Sequence, residues 1–214
     1  MYHLCLIILA LIAVLAYYYV FRRQLYSSNH IFSGNTDKPF NKLMIVAHPD
    51  DELIFGGRAL LQEKGWKVIC LTNGTLFSNN VFRFNRTNYR KREFISIMNK
   101  LGYPYEIWDF EDCYFNANWD DTKLMINLNR IFETQYEKVI THNSEGEYGH
   151  CQHKKVHQMV QRCNPANLYV FHHGEQENIY LDELLQLLKY YSSQKTIIDK
   201  HFKYIRYQSY RKIN

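Results

Sequence analysis

The stretch IVAHPDDELIFGG, residues 45–57, places three consecutive carboxylates directly behind an apolar run that ends in a histidine. The apolar run is typical of a buried strand, and Pro49 suits the first position of a helix because it has no N–H to leave unpaired. Acidic side chains in the first turn of a helix each gain about 0.3–1 kcal/mol from the helix dipole. A helix start is therefore a sufficient explanation for Asp50, Asp51 and Glu52. Another explanation is needed only if the fold brings other polar residues close to them.

Short apolar runs alternate with longer amphipathic segments on both sides of this stretch. Strands of about six residues that alternate with helices indicate βαβ units and a parallel sheet covered on both faces. The sequence therefore predicts an α/β, Rossmann-like three-layer fold with a mostly parallel sheet. Its strands are expected at 42–47, 67–72, 105–110, 138–143 and 168–173, and its helices at 49–64, 87–101, 120–135, 150–162 and 181–191.

The N-terminal segment is predicted to be a transmembrane anchor. Leu4 to Phe21 is a run of 18 residues without a charge, just long enough to cross a bilayer as a helix. Arg22 and Arg23 follow the run, so the positive-inside rule places the rest of the chain in the cytosol. A signal peptide cleaved near Ala16 is the alternative. The predicted organisation of this single-pass membrane protein is an N-terminal transmembrane helix at 1–23, a polar linker at 24–41 and one domain at 42–214.

Composition limits the functional classes. A hydrophobic content of 46% suffices for a core, and a charged fraction of 22% argues against disorder. A net charge of +5 is too weak for a nucleic-acid-binding protein, which needs a concentrated basic face. The low net charge therefore predicts that the protein has no nucleic-acid partner. Five cysteines without a CxxC pair favour a reducing compartment.

Polar clusters fall at the carboxyl ends of three predicted strands, at 48–52, 72–74 and 142–153. Open α/β sheets bind their ligands at such strand ends. In the last cluster, His150, His153 and His157 are spaced i, i+3 and i+7, which puts them on one face of a helix. A lone HxxH is often a pair of solvated histidines, so this signal gains weight only from the first cluster.

The first and last clusters together predict a metal site. His48 and Asp51 follow one strand and His153 follows another, so the fold would bring two imidazoles and one carboxylate together. This is the ligand set of a catalytic zinc site with a position left for water. We therefore predict one Zn²⁺ per chain at these three residues, although the same ligands accept other divalent metals.

Asp50 and His150 are the predicted catalytic residues. Asp50 lies next to a ligand without being needed as one, and a water activated by the metal requires a base to take its proton. His150 lies one turn before His153 and can face the same water, or the oxyanion that forms when the water attacks a carbonyl. Metal, water, base and oxyanion donor together predict the hydrolysis of an amide or an ester.

These motifs resemble the PIG-L/LmbE-type zinc de-N-acetylases over roughly Lys42 to Val160. The matching features are AHPDDE (47–52), a GG pair (56–57), a TNG turn (72–74), Arg90 and Glu93 before Leu101-Gly102, and GEYGHxxH (146–153). The resemblance implies a Rossmann-like deacetylase domain at 42–214 that removes acetyl groups from N-acetylglucosamine-type sugars. It also implies the same zinc ligands, and the same roles for Asp50 and His150.

Gln152 departs from the family pattern, because many bacterial members carry an acid between the two histidines. An acid there would orient His150 and raise its pKa, whereas a glutamine can only form hydrogen bonds. Eukaryotic members that act on a phosphatidylinositol-linked sugar also tend to have an amide there and an N-terminal anchor, which favours a lipid-linked sugar. The loop HNSEGEYGH (142–150) looks more like bacterial-type glycan deacetylases, so a glycan and a glycolipid both stay open.

Asn73, Arg90 and Trp119 are expected to contact the N-acetylated amino sugar, glycan or lipid-linked sugar. Asn73 belongs to the TNG turn, and Arg90 matches a family position that we connect with substrate polar groups or loop anchoring. Trp119 lies in a loop before a helix and is the best candidate for stacking on a sugar ring. His172 and His173 are interpreted as an ordinary polar strand exit.

Two rival hypotheses remain. A non-catalytic member of the same fold would hold metal or sugar without turnover. A nucleotide-binding Rossmann protein is disfavoured, because no G-x-G-x-x-G follows the first predicted strand.

Overall fold

The computed structural model describes residues 8–17, 31–76 and 89–213. In the N-terminal unit, residues 8–17 form helix α1. Within the described ranges, no helix is long and apolar enough to cross a membrane.

The prediction of a transmembrane helix is therefore not supported, and the predicted single-pass membrane localisation is wrong. The cytosolic placement depended on that helix and loses its basis. The other residues of the predicted anchor, 1–7 and 18–23, and the linker residues 24–30 lie outside the described residues.

The described part of the second unit is built around a seven-stranded sheet in the order β1-β4-β3-β2-β5-β6-β7. Strands β2 to β6 are parallel to their neighbours, and the edge strands β1 and β7 are antiparallel to β4 and β6. The mostly parallel sheet is confirmed. The strands are β1 (Phe32–Gly34), β2 (Lys42–Val46), β3 (Trp66–Leu76), β4 (Tyr105–Asp112), β5 (Lys138–Thr141), β6 (Leu168–His173) and β7 (Gln208–Lys212).

Helices connect the parallel strands and follow the last of them. The helix expected at 49–64 is divided into two short helices around Phe55 and Gly56. The helices of this unit are α2 (Asp51–Ile54), α3 (Gly57–Gln62), α4 (Tyr89–Leu101), α5 (Asp121–Phe132), α6 (Gly146–Gly149), α7 (Cys151–Arg162), α8 (Leu181–Leu188), α9 (Lys195–Lys200) and α10 (Phe202–Arg206).

Two hydrophobic clusters cover the two faces of the sheet. Along β2, Met44 and Val46 belong to the cluster that contains buried residues of α2, α3, α4 and α8. Leu43 and Ile45 belong to the other cluster, with residues of α5 and α7. The division alternates because successive side chains of a strand point to opposite faces of the sheet. This arrangement is the predicted three-layer α/β fold.

Strand β2 is the point at which the strand order reverses. The chain runs outward from β2 to β3 and β4, and then returns to β5 on the other side of β2. Ile45 of β2 lies in register with Thr141 of β5, so the segments that leave these two strands start side by side. Ligands of open α/β sheets bind in the crevice at such a switch point.

Candidate active site

The candidate site is formed by residues that follow β2 and β5 and by the start of α7. The backbone N–H of Ala47, at the end of β2, donates a hydrogen bond of 3.0 Å to Nε2 of His142, which follows β5. This bond joins the two segments. His153 lies in the first turn of α7, and all three side chains of the predicted metal site are buried.

Three ligand atoms from the predicted metal ligands meet in a small triangle. Nδ1 of His48 lies 3.0 Å from Oδ2 of Asp51. Nε2 of His153 lies 3.2 Å from that oxygen and 3.2 Å from His48 Nδ1. Ligands about 2.0–2.2 Å from a tetrahedral zinc lie roughly 3.3–3.5 Å from one another. The spacing of the three atoms is therefore close to that of a divalent metal site.

Asp51 is held as a carboxylate. Its Oδ2 accepts a 2.8 Å hydrogen bond from the backbone N–H of His48. Burial favours the neutral acid, but the imidazoles of His153 and His48 outweigh it and hold the pKa of Asp51 well below its ordinary value. The donor set of the triangle is thus one anionic oxygen and two imidazole nitrogens.

Glu147 orients His153 from the outside of the triangle. Its Oε2 lies 2.6 Å from His153 Nδ1 and 2.9 Å from His142 Nδ1. Burial opposes ionisation, but these two histidines lower the pKa of Glu147 to about 2. A carboxylate can only accept, so His153 Nδ1 carries a proton, and Nε2, which faces Asp51 Oδ2, is the ring nitrogen left to bind a metal. Carboxylates in this position are typical partners of metal-binding histidines.

His142 stacks on His153 but is occupied at both ring nitrogens. The ring centroids are 3.8 Å apart with an interplanar angle of 20°. Because Nε2 accepts from Ala47 N–H, the ring proton is on Nδ1, toward Glu147. His142 Nε2 lies 3.5 Å from Asp51 Oδ2, yet its lone pair is already used. We therefore place His142 beside the triangle and not in it.

Neither Glu147 nor His142 was predicted from the sequence as a site residue. Both belong to the 142–153 cluster, and Glu147 belongs to the GEYGHxxH motif. An acidic partner near His153 could have been expected, because a metal-binding histidine usually donates from its second nitrogen to an acceptor. The sequence does not show which of the two nearby acids, Glu145 or Glu147, points inward.

Asp50 has a strained backbone and a paired carboxylate. Its φ of 120° lies in the left-handed half of the Ramachandran map, and its N–H donates to Oε2 of Glu52 at 3.0 Å. Nη2 of Arg90 lies 3.0 Å from both carboxylate oxygens of Asp50. Burial raises the pKa of Asp50 to about 6, against the opposing effect of Arg90, which is a value suited to a general base.

Arg90 and Glu52 hold this loop in place. Besides Asp50, Arg90 donates to the carbonyl oxygen of Pro49 at 3.0 Å and to Oδ2 of Asp112 at 2.9 Å. These contacts favour the loop-anchoring role among the two considered for Arg90. Glu52 is fully buried, accepts a 2.7 Å hydrogen bond from the Tyr191 hydroxyl, and burial raises its pKa to about 8.

His150 caps α7 and faces the triangle. Its Nδ1 accepts a 3.2 Å hydrogen bond from the backbone N–H of Gln152, so the proton of the neutral ring is on Nε2. Its ring lies 4.6 Å from that of His153 and 4.8 Å from that of His48, between centroids. Burial, together with these two histidines, lowers the pKa of His150 to about 3. His150 is therefore a neutral hydrogen-bond donor.

The Gln152 side chain acts on a different residue from the one expected. Its Oε1 lies 2.7 Å from His48 Nε2, and its Nε2 donates to the carbonyl oxygen of Glu111 at 2.8 Å. Only its backbone N–H reaches His150. The expected influence of the side chain at position 152 on His150 is thus replaced by a contact with His48.

A cavity of about 130 Å³ opens above the triangle. Its floor contains His48, Asp50, Asp51 and His150, and two tyrosine rings stand at its mouth, Tyr114 and Tyr148. Arg90, one of the expected substrate contacts, also lines the cavity, together with Ile54, Phe55 and Asp112. The α9 segment and the residues before and after it form another part of the wall. The lining from this part of the chain is Gln194, Ile197, Lys200 and His201.

Trp119 and Asn73 do not lie among the described residues that line this cavity. Trp119 is only 7% exposed, packs against Phe110 with ring centroids 5.5 Å apart, and donates its indole N–H to Glu111 O at 2.8 Å. The expectation that it stacks on a sugar is corrected, because its ring belongs to the core. Asn73 Nδ2 donates to Asp109 Oδ1 at 2.5 Å, away from the cavity.

Several solved structures share this fold at low sequence identity. N,N'-diacetylchitobiose deacetylase from Pyrococcus horikoshii matches with a TM-score of 0.60 at 15% identity, over 81% of this chain and 84% of that chain. The 4-carboxy-2-hydroxymuconate hydratase GalB from Pseudomonas putida KT2440 matches with 0.59 at 16%, over 82% and 97%. A deacetylase triple mutant from the teicoplanin biosynthetic pathway matches with 0.57 at 15%, over 77% and 87%. These likenesses establish the fold alone, and folds of this kind carry more than one reaction.

Sequence comparison identifies the family. The chain is 46% identical to the uncharacterized protein L374 of Acanthamoeba polyphaga mimivirus in an alignment 211 residues long that covers 95% of this chain and 94% of that protein. The family model for PIG-L, described as GlcNAc-PI de-N-acetylase, matches residues 43–164, which include both the AHPDDE and the GEYGHxxH motifs. The resemblance seen in the sequence is confirmed: the chain belongs to the PIG-L family.

Proposed function

We propose that this protein is a zinc-dependent hydrolase that removes the N-acetyl group from an N-acetylglucosamine-containing glycan or glycolipid. The observation that carries the proposal is the triangle of His48 Nδ1, Asp51 Oδ2 and His153 Nε2, with sides of 3.0–3.2 Å. Against the effect of burial, nearby carboxylates raise the pKa of His48 and of His153. Positive charge is therefore favoured at the triangle, and a divalent cation bound by these three atoms would take the place of the ring protons.

We take His48, Asp51 and His153 as the metal ligands. Two imidazoles and one carboxylate leave room for further ligands, as in catalytic zinc sites. A divalent cation held there supplies a Lewis acid that polarises the amide carbonyl and makes water acidic enough to attack it. Other divalent metals fit the same donors.

Asp50 is the proposed general base. Its carboxylate lines the cavity beside the triangle and is presented by a backbone turn held by Glu52 and Arg90. Asp50 takes the proton from the attacking water, and can then return it to the amine that leaves when the C–N bond breaks. One residue thereby closes the proton balance of the hydrolysis.

His150 is the proposed oxyanion donor. The Nε2–H of its neutral ring is available because Nδ1 is engaged with the backbone of α7. A hydrogen-bond donor aimed at the developing charge of a tetrahedral intermediate is worth about 2.7–4 kcal/mol of barrier in well-studied cases. The lowered pKa of His150 favours this role over protonation of the leaving amine.

An N-acetylated amino sugar is the substrate class that fits the cavity mouth. The rings of Tyr114 and Tyr148 are 54% and 36% exposed and offer apolar faces next to polar edges, as sugar rings require. The deacetylase of N,N'-diacetylchitobiose with the same fold supports this choice. Because both rings are exposed to solvent, either a glycan or a lipid-linked sugar can reach them.

The experiment is an acetate-release assay on the full chain loaded with zinc. The substrates are free N-acetylglucosamine, oligomers of N-acetylglucosamine and an inositol-linked N-acetylglucosamine. We expect release from at least one of them, its loss on metal chelation and its return on addition of zinc. A sample that stays inactive on the whole panel while it binds zinc stoichiometrically would instead identify a non-catalytic metal- or sugar-binding member.

A further inference from the structure

We infer that Gln152 is a positioning residue of the metal site, which sets the tautomer of His48 and leaves Nδ1 of that ring free for a cation. The inference rests on the proposed function only in taking His48 as a metal ligand.

The orientation of the Gln152 amide follows from one backbone carbonyl. The side chain is fully buried in the first turn of α7, and its Nε2 lies 2.8 Å from the carbonyl oxygen of Glu111, at the end of β4. A carbonyl oxygen can only accept a hydrogen bond, so the NH₂ group of the amide must face it. The amide oxygen then faces His48.

The tautomer of His48 follows from the amide orientation. Gln152 Oε1 lies 2.7 Å from His48 Nε2, and an amide oxygen also only accepts. Oδ1 of Asp112 lies 3.5 Å from the same nitrogen and is a second acceptor. His48 Nε2 therefore carries a proton, and in the neutral ring that a metal ligand requires the lone pair lies at Nδ1, 3.0 Å from Asp51 Oδ2. Nδ1 is the atom that belongs to the triangle.

Only an amide of this length serves both contacts. A glutamate would face the carbonyl of Glu111 with an oxygen that has no hydrogen to donate. An aspartate is shorter by one methylene, and a methionine of similar shape neither donates to Glu111 nor accepts from His48. Gln152 thus joins three elements, because it ties the loop after β2 to the end of β4 from a position on α7.

The two imidazole ligands consequently have unequal partners. His153 donates to the carboxylate of Glu147, whereas His48 donates to a neutral amide. A carboxylate partner makes the imidazole a stronger electron donor than an amide partner does. The amide nonetheless performs the geometric task, which is to hold the ring and its proton in place.

Zinc affinity of the full-length protein, measured by chelator competition without substrate, tests the inference. The variant is Gln152→Met, which removes both hydrogen bonds at similar shape, and the matched control is Gln158→Met, at a glutamine on the exposed face of the same helix. We expect zinc binding to weaken about 10- to 100-fold in Gln152→Met and to stay unchanged in the control. Wild-type affinity in Gln152→Met would overturn the inference.

The wild-type protein provides a second measurement that does not depend on whether a variant folds. Long-range ¹⁵N–¹H correlation spectra of the zinc-loaded protein report which ring nitrogen of each histidine carries hydrogen. We expect the proton of His48 on Nε2 and that of His153 on Nδ1. A proton on Nδ1 of His48 would refute the inference. Both experiments omit substrate, so an absence of acetate release would count against the proposed function alone.

Discussion

Nδ1 of His153 lies 2.6 Å from Oε2 of Glu147, and the same oxygen accepts a second hydrogen bond from His142 at 2.9 Å. Glu147 reaches this position with a backbone φ of 57°, in the left-handed region. A non-glycine residue there is strained by on the order of 1–3 kcal/mol. The surrounding hydrogen bonds, including those exchanged with Asn143, hold the carboxylate in place.

Glu147→Gln is expected to weaken zinc binding about 10- to 100-fold, because an amide cannot accept strongly from two imidazoles and the backbone at once. Chelator competition measures this loss. Glu145→Gln, two residues away at an exposed position, is the control and should bind zinc like the wild type. Equal affinity of the two variants would remove Glu147 from the metal site.

Asp50→Asn should keep zinc and lose activity. The substitution retains the shape of the side chain but removes the base, and positioned proton transfer contributes about 10²–10⁴-fold to rates of this kind. The measurement pairs kcat/KM for acetate release with zinc content after gel filtration. Wild-type activity in Asp50→Asn would refute the assignment of Asp50 as the base.

His153→Ala should bind zinc much more weakly than the wild type, because it removes one of three proposed protein ligands. It also removes the closer of the two histidines that bond to Glu147. Activity should return only at high added zinc. The comparison is with His157→Ala on the same helix, since His157 Nδ1 bonds the carbonyl of His142 and lies outside the triangle. Zinc bound to His153→Ala at wild-type affinity would contradict the ligand assignment.

Tyr191→Phe is expected to lower the free energy of unfolding by about 1–3 kcal/mol, because it leaves the buried Glu52 without its hydroxyl partner. Activity should also fall, since Glu52 holds the backbone of Asp50. Urea unfolding and the acetate assay give the two readouts. Tyr190→Phe, at a ring that is 43% exposed, should change neither, and an equal loss in both variants would show that the Glu52 contact is not responsible.

Tyr114→Ala should raise KM about two- to tenfold for a sugar substrate and leave kcat nearly unchanged. The reason is the loss of an aromatic contact worth about 0.5–1.5 kcal/mol at the cavity mouth. Phe115→Ala is the control, because Phe115 is exposed beside Tyr114 but is not among the residues that line the cavity. A fall in kcat with unchanged KM would contradict a role in substrate binding.

The parallel sheet and the polar ends of its strands could be predicted because their signals are local. The alternation of short apolar runs and amphipathic segments can be recognised from residues that are close in the sequence, and so can the spacing of His150 and His153. The edge strands β1 and β7 were not assigned, because three and five residues of mixed polarity become strands only through pairing with β4 and β6. The same limit explains Trp119, whose place in a loop did not reveal that its ring packs on Phe110.

The sequence by itself determined which residue types follow β2 and which begin α7, and hence the set of His48, Asp51 and His153 that we propose as metal ligands. Only the tertiary structure decided which nitrogen of each imidazole carries the proton. That choice depends on acceptors that are distant in the chain from His48, as with Gln152, or that point inward only through a strained turn, as with Glu147. A hydrogen bond has a direction as well as a partner, and the direction is set by geometry in space and not by order along the chain.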